Sequence, residues 1–281
     1  MSLPLPVRTI AVSGGKGGVG KTSIAINLAL ELSKSGRSVL LLDADLSMAN
    51  VDIMLNLKPQ RDLSHVVAGA CRLEDIIVPG PQGLHIVPAA SGVGRMAQLS
   101  SHEQMALIRA FSDIESSYDV LIVDTAAGIA PGTLGFTKAA QEIVLVLNDE
   151  PASLADAYGL MKVLNREHGV KRFQVLANMV RDSAHGRSLY TRLADVADFY
   201  LEVKIGYLGF VPQDENLRAA VKSRAAVTDK YPYSVSSLAF QQIARRLTEL
   251  PGHPGTNGFI EFFVEKALGA HHKSAYERGV A

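Results

Sequence analysis

With a single cysteine, Cys71, in 281 residues, the chain can form no internal disulfide and offers no thiolate set for a zinc site or a cluster. It also lacks any apolar run near the ~18 residues that a membrane-spanning helix needs, and no basic–apolar signal opens it. Those two absences predict a soluble, cytoplasmic protein. A dominant charge is missing too: 28 Lys and Arg balance 28 Asp and Glu, so no global field draws the chain to nucleic acid. Basic residues gather locally at Arg166, Lys171, Arg172, Arg181, Arg187 and Arg192, then at Arg218, Lys222 and Arg224. Glu167, Asp182 and Asp195 dilute them, as on a solvated helix face.

What is present is a rhythm. Apolar runs at 9–12, 39–42, 120–123, 143–147, 173–177 and 205–211 read as strands buried on both faces. Helix-period segments at 22–33, 103–115, 153–167, 189–199, 214–223 and 235–250 fall between or after them. Residues 84–87 add a strand, placed at an edge. The alternation predicts an α/β fold: one doubly wound, mostly parallel sheet flanked by helices, with its ligand at the carboxyl ends of the strands. The domain runs from 8 to 250. Residues 251–258 (PGHPGTNG) read as a linker, 259–270 as a short C-terminal amphipathic helix and 271–281 as a mobile tail.

The first strand leads into Gly15-Lys16-Gly17-Gly18-Val19-Gly20-Lys21-Thr22-Ser23, which satisfies G-x-x-x-x-G-K-[ST] between a strand and a helix. Glycines let successive backbone N–H groups wrap a polyphosphate at a helix N-terminus. Lys21 is expected on the β- and γ-phosphates and the Thr22 hydroxyl on Mg²⁺. Lys16 sits too early in the loop to duplicate Lys21 and is expected to reach out of its own subunit.

Two further strands end in carboxylates, Asp43-Ala44-Asp45 and Asp124-Thr125-Ala126-Ala127-Gly128. Phosphoryl transfer to water needs a held metal, a positioned water and neutralised charge. Asp124 suits the metal's outer shell, partly through water. Asp45 suits orienting the attacking water, and Asp43 is expected to bond within the sheet edge. The Gly128 N–H is a candidate γ-phosphate sensor. Base recognition is assigned to Asn178, closing its strand, and to Pro212, Gln213 and Asp214. Asn178-Met179-Val180-Arg181 departs from the Asn-Lys-x-Asp run of guanine readers, which favours ATP. Asn178 as a plain turn residue stays open.

The loop from Lys16 to Thr22 resembles the deviant Walker A of the MinD/ParA ATPases, as do Leu42–Leu46, Asn50-Val51-Asp52 and Asp124–Gly128 in the two switch regions. Asp149–Ser153, Val175–Met179 and the FIEFFV segment are similar to the FlhG/FleN branch, regulators of flagellum number. The resemblance implies a slow Mg²⁺-dependent ATPase that forms a face-to-face homodimer around two ATP molecules. In it Lys16 contacts the partner's phosphates, and hydrolysis separates the dimer. It implies antagonism of a flagellar transcription activator of the AAA+ class. A DQA-x-x-LR-like motif, which this branch uses on the GTPase FlhF, has no counterpart in residues 1–7, so an FlhF partner is left open.

From Phe259 to Leu268 the residues Ile260, Phe263, Val264 and Ala267 share one helix face, with Glu261 and Glu265 opposite. Two copies on a dimer would bind lipid better than one. The expectation is reversible peripheral association with the inner face of the cell membrane, the helix docked in the monomer and released in the dimer. Permanent docking is the alternative. A DNA-partitioning ATPase would need a basic stripe, so direct DNA binding is not expected. A MinD-like division-site regulator would carry a more basic terminal helix. An iron–sulfur carrier would need paired cysteines. A scaffold that never hydrolyses fits poorly with Lys21, Thr22, Asp45 and Asp124 together.

Overall fold

The computed structural model describes residues 7–45, 50–89, 100–114, 117–251 and 264. Six strands are parallel neighbours: β1 (Arg8–Ser13), β2 (Val39–Ala44), β5 (Val120–Thr125), β6 (Glu142–Leu147), β7 (Arg172–Val180) and β8 (Lys204–Pro212). β4 (His85–Val87) joins β2 in parallel, and the two-residue β3 (Val78–Pro79) runs antiparallel outside it. The eight-stranded order is β3-β4-β2-β5-β1-β6-β7-β8. The strand expected at an edge is therefore β4, one place in, because β3 closes the sheet on that side.

The flanking helices are α1 (Lys21–Lys34), α2 (Val51–Met54), α3 (Leu63–Val67), α4 (Ser101–Ile114), α5 (Pro131–Ala139), α6 (Pro151–His168), α7 (Ser183–Tyr200), α8 (Glu215–Lys222), α9 (Val227–Lys230) and α10 (Val235–Glu249). Period-2 alternation assigns the faces. In β2 and β5, Val39, Leu41, Val120 and Ile122 join the core under α1 and α10, while Leu40, Leu42, Leu121 and Val123 face the other way. β6 and β7 are covered on that second side by α6 and α7 through Leu145, Leu160, Val175 and Leu193. α1 is buried on nearly every side, which explains its apolar run from Ile24 to Leu32.

Strands extend past their apolar runs. Asp43, Asp124 and Asn178, read as residues closing or following strands, all lie inside the ladder, and Asp43 pairs in register with Asp124. No helix among the described residues is long and apolar enough to cross a membrane. Most of the linker, the terminal helix and the tail (252–263 and 265–281) lie outside the described residues. Val264 is described: it is helical and buried in the same cluster as Leu42, Val123 and Phe136.

Candidate nucleotide site

β1 turns into the loop through Gly14, and α1 begins at Lys21 with left-handed Gly20 (φ 94°) as its N-cap. A side chain at Gly20 would be strained, and its Cβ would lie 2.4 Å from Asn178 Nδ2. Gly15 is confined from outside: a Cβ there would meet the Asp156 carbonyl oxygen at 2.1 Å. The loop is thus pressed between β7 and α6. No acidic residue occupies the first turn of α1 and no side chain caps it, so its leading N–H groups form an anion-binding end toward the loop.

Lys21 Nζ donates to the Lys16 carbonyl at 3.4 Å, and burial lowers its pKa against the pull of Asp124 and Asp45. Asp124 is fully buried, and its carboxylate oxygens find no well-formed hydrogen bond among the described residues, the Thr22 hydroxyl standing near them in loose geometry. Burial is the main reason its carboxyl is pushed up to about 8; Thr22 and Lys21 pull it down, Asp43 and Asp45 push it further up. The Asp124 carboxylate and the Thr22 hydroxyl are oxygen donors of the kind a hard divalent cation takes, although no cluster of three or more His, Cys, Asp or Glu that could hold a metal occurs among the described residues. Asp43 differs from expectation. Its carboxylate accepts the N–H groups of Asp45 (3.1 Å), Asn50 (3.1 Å) and Val51 (3.2 Å), tying the loop after β2 rather than bonding along the sheet. Burial raises it to about 6, while those three N–H groups oppose the rise.

The other two residues expected on phosphate are engaged within the chain. Gly128 N–H donates to the Gly14 carbonyl at 3.2 Å, so a γ-phosphate would have to replace that acceptor. The Lys16 ammonium is paired with Glu150. Beneath them a buried hydroxyl set joins β5 to β1: Thr125 Oγ1 donates toward Val12 O (3.1 Å) or Ser13 Oγ (3.0 Å).

At the base end Asn178 is held, not free. Its Nδ2 donates to the Val19 carbonyl at 2.7 Å, leaving a buried Oδ1 with no partner among the described residues. With one of its two amide N–H groups committed to Val19, Asn178 keeps a buried acceptor, which suits the 6-amino group of adenine. Asp214 commits its carboxylate to capping α8 at Asn216 N (2.8 Å) and to holding Ser236 Oγ (2.6 Å), which fixes the 212–214 segment along the cleft.

A cleft of about 770 Å³ gathers Gly17, Gly18, Gly20, Lys21, Thr22 and Ser23 with Asp45, Asn178 and the 212–214 segment. Lys16 and Gly128 are not among its lining residues. Sequence reading missed the apolar wall, Met54, Met179, Leu217 and Val221. Met179 carries a hint only visible in the fold: φ 56° at a bulge in β7 turns it toward the cleft. It also missed Glu150.

The CobQ/CobB/MinD/ParA nucleotide binding domain matches residues 10–227. The antiactivator FleN of Pseudomonas aeruginosa is 51% identical over 263 residues, 94% of each chain. The flagellum site-determining protein YlxH of Helicobacter pylori is 34% identical, over 84% of this chain and 80% of its own. Among solved structures, the septum site-determining protein MinD of Pyrococcus horikoshii, complexed with Mg-ADP, superposes with a TM-score of 0.70 at 26% identity, covering 88% of this chain and 98% of that one. Loop, carboxylates, sheet order and these likenesses agree: the chain belongs to the CobQ/CobB/MinD/ParA family of nucleotide-binding domains.

Proposed function

We propose that this protein is an ATP-dependent dimerising switch that hydrolyses ATP and limits flagellum number by antagonising a flagellar transcription activator. One observation carries the chemistry. Lys21, Thr22 and Asp45 line one cleft with Asp124 buried behind them, while Lys16, in the same loop, points elsewhere. The likeness to an antiactivator over 94% of the chain supports the biological role.

ATP lies with its phosphates along Gly15–Thr22 and its base between Asn178 and Pro212–Asp214. Mg²⁺, held by Thr22 with Asp124 and Asp45 partly through water, would neutralise phosphate charge there. Lys21 stabilises the transferred group, and Asp45 orients the attacking water and accepts its proton. Gly128 N–H leaves Gly14 for the γ-phosphate and reports its presence to the loop after β5. Lys16 crosses to the partner's phosphates, so turnover requires two chains. Residues 8–250 make up the ATPase unit; 259–270 would place the ATP-bound dimer on the inner face of the cell membrane. The partner would be an activator of the AAA+ class, with an FlhF-type GTPase the second candidate.

Asp45→Ala tests the hydrolytic half. It is expected to slow turnover about 100-fold or more and to leave an ATP-bound dimer that persists in sedimentation. Wild-type turnover in that variant would remove Asp45 from the mechanism. Deleting the gene tests the biological half, by counting flagella per cell in electron micrographs. Extra flagella are expected; unchanged counts with altered division or segregation would move the assignment to the MinD-like or ParA-like readings.

A further inference from the structure

Glu150 has no part in the chemistry above, yet it is the residue that holds Lys16. Its second oxygen accepts Asn148 Nδ2 at 3.0 Å. Asn148 is fixed in turn, its backbone N–H donating to Ser153 Oγ at 3.1 Å in the first turn of α6. The residue between them, Asp149, is fastened to α7 by His185 Nε2 at 2.9 Å and by Arg192 at 3.7 Å. His185 Nδ1 accepts the Arg181 N–H at 3.3 Å, which puts the ring proton on Nε2, facing Asp149. The segment 148–150 is therefore braced on two helices, and Glu150 presents a preset acceptor. Hydrogen bonds from Lys16 and Asn148 hold its carboxyl below the usual range, so it stays charged. The side chains of Lys16 and Glu150 are 34% and 54% exposed, leaving the pair open to exchange with an arriving anion.

We propose that Glu150 is a positioning residue for Lys16: in the free protomer it keeps the ammonium on its own subunit, and a second, triphosphate-loaded copy of this chain must draw it away. The proposal rests on the reading of Lys16 as a lysine given to the partner's nucleotide. The exchange swaps one anion for another, so the dimer loses little once formed, but every encounter has to displace the resident carboxylate first. An exposed pair of this kind shifts an equilibrium by about two- to fivefold.

The experiment compares wild type with Glu150→Gln in saturating Mg·ATP, following mass by sedimentation and turnover per chain against protein concentration. The half-saturating protein concentration is expected to fall about two- to fivefold. Turnover of the fully assembled dimer and ADP affinity of the single chain should stay unchanged, a split that a merely structural role would not produce. Glu150→Ala, made alongside in case the amide still engages the lysine, should move the threshold at least as far. An unchanged threshold overturns the proposal, and so does a raised one, which would place Glu150 in the service of the dimer. Lys16→Ala separates the two levels. If it still assembles with ATP, the reading of Lys16 falls and this proposal with it. If it stays single while Glu150→Gln shows no lowered threshold, only the role of Glu150 fails.

Discussion

Lys16→Ala is expected to bind ATP as the wild type does, yet to remain a single chain and to lose turnover by roughly 10³-fold, the scale of a cation supplied in trans to a phosphoryl transfer. Lys16 does not line the cleft of its own chain, and its ammonium is turned to Glu150, so truncating it removes nothing from the resident nucleotide's surroundings. Its carbonyl, which accepts Lys21, survives the change because it belongs to the backbone. Fluorescent-nucleotide titration reads the first expectation, light scattering with ATP the second, and phosphate release the third. Should the variant bind ATP, assemble and turn over normally, the cation crossing between subunits would be excluded. Weakened binding without any change in assembly would instead place Lys16 on its own phosphates.

The second large effect concerns Asp124→Asn in the absence of metal. The folded carboxyl keeps its proton up to about 8, whereas the unfolded one releases it near 3.8, so the folded state binds more protons across that interval. This contribution to stability is complete below about pH 4 and is lost progressively as the pH climbs to about 8. The loss is at most about 6 kcal/mol, or on the order of 10 °C in Tm for a domain of this size. The amide has no such titration and fills the same space. Metal-free Asp124→Asn should therefore melt higher than wild type at pH 8, with the gap narrowing toward pH 5. Adding Mg·ADP should reverse the order, raising the wild type and leaving the variant nearly unmoved. Differential scanning calorimetry at pH 5, 6, 7 and 8 checks both halves. Parallel melting curves across that range would mean that Asp124 is solvated or paired in solution.

The sheet was legible because a strand covered on both faces must be apolar at every position, and such runs stand out between helix-period segments. Strand ends were not, since Asp43, Asp124 and Asn178 pair like their apolar neighbours while carrying side chains that usually mark a loop. α5 went unread for a related reason: Pro131, Gly132 and Gly135 look like breakers, although Pro131 sits at the first turn and Leu134 and Phe136 are buried. The opening of α7 was missed as well. Gly186 there meets Phe210 and Tyr207 so closely that a Cβ would approach both at 2.8 Å. The phosphate loop was readable residue by residue, because its backbone path demands glycine at set intervals. The roles of Glu150 and Met179 were not, for although both lie in segments that resemble the family, those segments assign neither a contact; one is placed by the brace on two helices and the other by a bulge.

Asp43 accepts N–H groups from both sides of residues 46–49. One carboxylate thus fastens both Asp45 and the start of α2 to the end of β2, so a shift at either place is felt at the other.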